Sequence, residues 1–235
     1  MGEPVVTLWL RVRAPFAAYR PLQAGIFRGT TATMSHTAAH GLVLNLAAVD
    51  SRDPVPREVT QLRSDVPALQ IAIGEVARPE LSTLYQQLHS YPVGNSGKEF
   101  QERSHGAKYW IAPVRREVLS GLDVVIGARG HEDVISRVAR GLRGEFNAER
   151  YGLPFAGDNN LLIDRIDILD APSTAAWWTP LERTDTPRAR GARLTIEIDR
   201  ADASRTRTAL FAPIAVAQNR PPENAWVWTP REPKP

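Results

Sequence analysis

The sequence predicts an α+β protein built on a ferredoxin-like βαββαβ unit. Residues Val5 to Arg13 alternate between apolar and other side chains, which is the pattern of a half-buried strand. Two segments, about 37 to 49 and His131 to Gly141, space their apolar residues as helices do. With three further strand candidates, the order is strand, helix, strand, strand, helix, strand. We therefore expect both helices on one face of the sheet and an open second face.

The second face of the first strand suggests a binding surface. It carries Trp9, Arg11 and Arg13 in line, opposite the apolar residues. An aromatic ring beside two guanidinium groups is typical of a sheet surface that holds a polyanion. In the alternative interpretation, another segment covers Trp9 and the two arginines only extend across the surface.

The next segments complete the first half of the unit. Residues 14–35 mix Pro, Gly, Thr and aromatic residues without a period, which predicts a long loop. Ser35 or Thr37 would cap the helix at about 37 to 49, because their hydroxyl groups can accept the free N–H groups at a helix start. Leu69 to Val76 is the second strand candidate.

The second half follows a long insertion. Leu119 to Ala128 is the third strand candidate and Leu161 to Leu169 the fourth. Residues 78–118 are too many for a hairpin turn, so they predict a protruding thumb-like arm with basic and aromatic residues on both limbs. The spacing of Leu81, Leu84, Tyr85 and Leu88 also fits a helix, which leaves the first limb open between helix and strand.

The chain divides into two regions by pattern. Residues 1–170 would form the βαββαβ domain with the arm inserted at 78–118. Residues 171–235 contain short strand-like segments and a Pro-rich tail, which predict a small β-rich C-terminal extension.

The basic residues of the chain favour a nucleic-acid ligand. The net charge is +3, and 26 of the 29 basic residues are Arg, which stacks on bases and forks onto phosphates. A GC-rich genome would explain the same bias.

The absence of cysteine excludes disulfide scaffolds, Cys-containing zinc sites and thiol nucleophiles. No apolar stretch is long enough to span a membrane and no secretory signal is evident, so we expect a cytoplasmic protein without a membrane role. We expect no cofactor and no metal, because the HTAAH segment (His36, His40) lacks a nearby third ligand.

Residues 14–50, directly after the first strand, resemble a known family. APFAAYRPLQAGIFRGTTATMSHTAAHGLVLNLAAVD is similar to the RAMP-superfamily subunit that caps the backbone of type I CRISPR surveillance complexes (Cascade), the fifth Cas family, in its DevS-like branch. The segments APVRREVLSGLDVVIGARG and LPFAGDNNLLIDRI resemble its arm's return limb and its loop before the fourth strand. The usual proline-rich turn is missing from TATMSHTAAH.

This resemblance implies an RRM-like RAMP fold and a non-catalytic binding role. The subunit would bind the 5′ handle of the guide RNA (crRNA), with the arm clamping the junction of handle and guide. Its partners would be the backbone RAMP subunit and the large subunit, and contact with target DNA stays open. The candidate RNA-binding residues are Arg11, Arg13, Tyr19, Arg20, Phe27, Arg28, Ser35, His36, Thr37, Lys98, Arg103, Lys108, Arg115 and Arg116.

Two alternatives remain. The same family includes metal-independent endoribonucleases that process the crRNA precursor, and the residues available for such chemistry are Tyr91, Lys98, His105 and Lys108. The other alternative is a free-standing RNA-binding module. Four tryptophans after residue 170 argue against a module that stands alone, because such residues more often anchor a core or a partner.

Overall fold

The computed structural model describes residues 5–21, 27–55, 61–92, 109–146, 152–182 and 190–233, with the backbone alone at 88–92, 109–113 and 203. Within these ranges the chain forms two α-helices, two short 3-10 helices (Ala203–Arg205 and Glu223–Ala225) and one mostly antiparallel sheet. The elements are β1 (Val5–Ala17), β2 (Phe27–Arg28), α1 (His36–Leu46), β3 (Leu69–Ala77), β4 (Glu80–Pro92), β5 (Tyr109–His131), α2 (Glu132–Leu142), β6 (Arg165–Leu169), β7 (Ala176–Pro180), β8 (Ala192–Glu197), β9 (Arg207–Pro213) and β10 (Val227–Thr229).

The strand order of the sheet is β6-β1-β5-β3-β7-β9-β8. In addition, β10 pairs with β3, and both β2 and β4 pair with β5. Among these pairs, β2 with β5 is parallel and the others are antiparallel. The mixed helix-and-strand composition agrees with the predicted α+β class.

The main hydrophobic core lies between the helices and one face of the sheet. Leu10 and Val12 of β1 are completely buried, and they pack in one cluster with Val43 of α1 and Val138 of α2. The even-numbered residues of β1 face this core while the odd-numbered ones are at least partly exposed as far as Arg13. The predicted alternation of the first strand is therefore confirmed.

The second face of the sheet is not open as expected. A smaller cluster covers part of it, in which the ring of Trp9 lies 6.0 Å from that of Trp177 and 5.6 Å from that of Trp226. Two glycines make room for these rings, because a Cβ at Gly127 would lie 2.6 Å from Trp9 and one at Gly74 would lie 2.8 Å from Trp177. The alternative interpretation of Trp9, a side chain covered by another segment, is the correct one.

The arm begins where β5 leaves the central sheet. Residues 123–129 of β5 lie between β1 and β3, whereas Tyr109 to Ser120 pair with β4. Gly121 lies at the changeover with φ 73°, a left-handed conformation that favours glycine. The helical alternative for the first limb is wrong, since Leu81, Leu84 and Tyr85 lie on β4 and are exposed.

Several predicted boundaries differ from the structure, since the third strand, predicted at Leu119 to Ala128, is part of the longer β5, and the second helix begins at Glu132. The predicted loop 14–35 begins as strand, because β1 continues pairing with β5 as far as Ala17. Helix α1 ends at Leu46 rather than near 49, and Ala48 takes φ 52°, which no helix accommodates. The fourth strand begins at Arg165 rather than Leu161, because Leu161 belongs to a turn in which its N–H donates to the carbonyl of Asp158 at 2.9 Å.

The C-terminal strands extend the central sheet. Both β7 and β10 pair with β3, and an ion pair adds to this junction. Arg190 donates to both carboxylate oxygens of buried Glu75, at 2.8 and 2.7 Å.

Candidate nucleic-acid interface

The two arginines of β1 lie where the alternation places them, but carboxylates already engage them. Arg11 donates to both oxygens of Asp123 on β5, at 2.8 and 2.7 Å. Arg13 donates to Asp167 on β6 at 2.9 Å, and Arg165 donates to the same carboxylate at 2.7 Å. The hydrogen bond to Asp123 raises the pKa of Arg11, and those from Arg165 and then Arg13 lower the pKa of Asp167. A phosphate at this face would compete with these carboxylates, so the expected role of Arg11 and Arg13 stays a prediction.

The start of α1 forms one wall of a cleft of about 680 Å³. The Ser35 hydroxyl caps the helix by accepting the N–H of Ala38 at 3.2 Å, and it lies 3.0 Å from the Thr37 hydroxyl. Of the two predicted caps, Ser35 is the one that caps the helix, and the hydroxyls of both Ser35 and Thr37 line the cleft. Arg20 lies on the same cleft, together with Arg52, Arg200 and Asp50, and apolar side chains form much of the rest.

Two predicted contacts are buried instead of presented to a ligand. His36 has no exposed surface, and its ring lies 4.6 Å from that of Phe211. Burial lowers the pKa of His36 to about 3, so the ring is neutral at physiological pH. Tyr19 is only 4% exposed, and burial raises the pKa of its hydroxyl. The expected RNA contacts of His36 and Tyr19 are corrected, because both rings belong to the packed interior.

A network of hydrogen bonds joins the loop after β1 to the root of the arm. The N–H of Tyr19 donates to the hydroxyl of Thr30 at 2.9 Å, and the N–H of Thr30 donates to Glu117 of β5 at 3.0 Å. Gly157, with φ 83°, lies so close that a Cβ would meet the carbonyl oxygen of Ala18 at 2.4 Å. The chain segments around this root therefore hold one another in place.

Arg116 is part of that network, which corrects its predicted role. Its side chain is 5% exposed, forms an ion pair with Asp158, and donates to Gln86 at 3.2 Å. Burial alone would raise the pKa of Asp158, but the N–H of Asn160 and the Arg116 guanidinium outweigh burial and lower it. A buried guanidinium with these partners serves the fold rather than a phosphate.

The remaining described candidates are exposed or half-buried at the root of the arm. Phe27 is 44% exposed and Arg28 is half-buried on β2, while Arg115 is exposed on β5. Toward the other described residues, the side chains of Arg20 and Arg115 make no hydrogen bond and no ion pair. These cations are available to an anionic ligand.

The predicted arm residues Lys98, Arg103, His105 and Lys108 lie outside the described residues, and at Tyr91 only the backbone is described. The structure also adds residues that the sequence interpretation missed. Arg200 reaches the cleft from the C-terminal region, and no sequence signal indicated this proximity. Tyr85, 69% exposed, is one of the aromatic residues of the predicted arm, but only the strand pairing shows that it faces Arg115 on β5.

In the part of the chain that the structure describes, no group of three or more His, Asp or Glu side chains could hold a metal ion. None of the helices in the described ranges is long and apolar enough to cross a membrane.

Comparisons with known proteins identify the fold. No protein-family model matches the sequence. The search of curated proteins finds no relative. Among solved structures, a chain described as "CRISPR RNA-guided surveillance complex" matches 90% of this chain and 90% of its own length, with 14% identity and a TM-score of 0.56. A second, described as "Crystal structure of Cas protein", matches 90% of this chain and 95% of its own length, with 13% identity and a TM-score of 0.48. The chain therefore shares its fold with a protein of a CRISPR RNA-guided surveillance complex.

Proposed function

We propose that the protein is a non-catalytic subunit of a type I CRISPR surveillance complex that binds the 5′ handle of the crRNA and caps the backbone. The observation that carries the proposal is the fold likeness to a chain described as a CRISPR RNA-guided surveillance complex, over 90% of both chains. The sequence resemblance to the fifth Cas family, DevS-like branch, supports the same assignment independently.

The topology supports the RAMP part of the proposal. Strands β6-β1-β5-β3 lie side by side, α1 connects β1 to β3, and α2 connects β5 to β6. We assign these six elements to the ferredoxin-like βαββαβ unit, with the β4–β5 hairpin as the thumb-like arm. The backbone RAMP subunit and the large subunit are the proposed protein partners.

The charge distribution supports RNA as the ligand. Arg28 and Arg115 lie on the paired strands β2 and β5 at the root of the arm, and Arg20 lines the cleft at the start of α1. Phosphate recognition requires such cations, together with hydroxyl and backbone donors. The other proposed contacts are Arg11 and Arg13 after exchange of their carboxylate partners, Phe27, Ser35 and Thr37, and, on the arm, Lys98, Arg103 and Lys108.

The test is purification of the tagged chain from its native cells, with sequencing of the bound RNA. We expect several co-purifying proteins and RNAs that share one repeat-derived 5′ end. Recovery of the chain without RNA would contradict the proposal. Specific cleavage of a repeat RNA by the chain alone in EDTA would favour the endoribonuclease alternative instead.

A shortened arm provides the matched variant. Gln86 and Val114 face each other across β4 and β5, so replacing residues 87–113 with Asn-Gly closes a two-residue hairpin without changing the register. We expect this variant to fold as a monomer and to lose most of the co-purifying complex. Normal assembly of the variant would exclude the arm from the interface.

A further inference from the structure

Three exposed side chains form a row across the root of the arm. Tyr85 of β4 lies directly opposite Arg115 of β5, and Arg115 is in turn the partner of Phe27 on β2. Paired residues of neighbouring strands present their side chains on the same face of the sheet. Tyr85 is 69% exposed, Phe27 is 44% exposed, and Arg115 is exposed as well. The strand order thus places a cation between two aromatic rings, at two strand spacings of about 4.8 Å each.

No carboxylate among the described residues pairs with the charge of Arg115 in this row. The side chain of Arg115 makes no ion pair with any described carboxylate, and the nearest acid along β5, Glu117, accepts the N–H of Thr30 at 3.0 Å. On the other side of the ribbon, Arg116 is neutralised by Asp158. The two neighbouring arginines therefore differ, and only Arg115 offers its charge outward.

We infer that Phe27, Arg115 and Tyr85 form a stacking platform for single-stranded nucleic acid. Two consecutive bases would each stack on one ring, and the phosphate between them would bind the Arg115 guanidinium. An alternation of aromatic, cation and aromatic matches the alternation of base, phosphate and base in a single strand. A protein ligand has no such repeat of anionic charge between flat rings.

The platform has no base preference. Every base presents a flat π face, so stacking tolerates any sequence, and the row offers no amide or carboxylate to read a base edge. Such a platform suits the variable guide part of a crRNA, next to the handle, better than the constant handle. This inference rests on the proposed function and adds to it the ligand position and the mode of binding.

The test measures binding of the full-length chain to fluorescent 12-nucleotide RNAs, U12 and A12, by anisotropy. We expect Tyr85→Ala and Phe27→Ala each to weaken binding of both RNAs about 5-fold or more, and Tyr85→Phe to restore it. Arg115→Gln should lower the slope of log affinity against log salt by about 0.7, the value for one phosphate contact on a single strand. Phe16→Ala is the control, because Phe16 is a similarly exposed phenylalanine (48%) on β1, outside the row.

The outcomes separate this inference from the proposed function. If Tyr85→Ala and Phe27→Ala bind both RNAs as the wild type does, while crRNA still co-purifies, the platform is wrong and the complex assignment stands. If Tyr85→Ala weakens the association with a protein subunit and leaves RNA affinity unchanged, the row is a protein contact and the inference fails. A large difference between the U12 and A12 losses would overturn base-independent stacking.

Discussion

At the residue scale, Arg115 and Arg116 show how one step along a strand changes the role of a side chain. Successive side chains of β5 point to opposite faces, so the two guanidinium groups have different surroundings. Arg115 is exposed, whereas Arg116 is enclosed with Asp158 and Gln86. The sequence shows two adjacent basic residues and gives no sign of this difference.

Matched substitutions should separate the two roles. Arg116→Gln leaves the Asp158 carboxylate, 14% exposed, without its cation, and breaking a buried pair should lower the free energy of unfolding by about 3 kcal/mol. Arg115→Gln should change it by less than about 0.5 kcal/mol, because the side chain is exposed. Urea unfolding measures both values, and equal effects would contradict the assignment.

The buried His36 predicts a dependence of stability on pH. Its pKa falls from 6.5 in the unfolded chain to about 3 in the folded protein, so the unfolded state binds the proton more readily. The stabilisation is therefore present above pH 6.5 and is lost as the pH falls toward 3, by about 2 kcal/mol between pH 7 and pH 5. His40, whose pKa burial also lowers, changes stability in the same direction.

His36→Leu should remove about that part of the pH dependence when unfolding free energies are measured at pH 5, 6 and 7. His131→Gln is the control, because His131 is exposed at the end of β5. His40 should leave a smaller slope of the same sign, so a slope in His36→Leu equal to that of the wild type would mean that the His36 ring is not buried in solution.

At the scale of elements, the contact between the C-terminal region and the sheet depends on glycines as much as on tryptophans, because a glycine has no side chain and leaves room for a ring. Gly74 and Gly127 leave flat areas on β3 and β5, and the rings of Trp177, Trp226 and Trp9 occupy them. Aromatic rings bury much apolar area per residue, so this small cluster fastens the C-terminal strands to the second face of the sheet.

Adding one methyl group should disturb that contact. In Gly127→Ala, the new Cβ would lie 2.6 Å from Trp9 and 2.7 Å from Trp226, and overpacking of this kind costs about 1–3 kcal/mol. Gly41→Ala is the opposite case, because nothing lies within 4 Å of its Cβ position on α1, so the variant should gain about 0.5–1 kcal/mol. Thermal unfolding followed by tryptophan fluorescence compares the two, and a stabilised Gly127→Ala would refute the packing described.

At the scale of the whole molecule, the C-terminal strands belong to the folding unit. β7 and β10 pair with β3 in the centre of the sheet, and Trp177 and Trp178 are completely buried. The residues on both faces of β3 therefore depend on side chains that come after residue 170.

A chain that ends at residue 170 should not unfold cooperatively. It would lose both tryptophans and the Arg190 partner of Glu75, and so leave a buried carboxylate uncompensated beside exposed apolar surface. Circular dichroism during urea unfolding gives the readout, with the full-length chain as control. A sharp transition for the fragment would instead make residues 171–235 an independent addition.

The sequence by itself determined the first strand and the two helices, because alternation in β1 and helical spacing in α1 and α2 are short-range patterns that each segment carries. It also indicated the exposed Arg20, Phe27 and Arg115 and the half-buried Arg28. Only the tertiary structure decided which of the candidate side chains are buried or paired within the protein and so do not face a ligand. Burial of His36 against Phe211, neutralisation of Arg116 by Asp158 and coverage of Trp9 by Trp226 all join residues at least 42 positions apart. Such contacts arise from the packing of the sheet, which no local period of the sequence encodes.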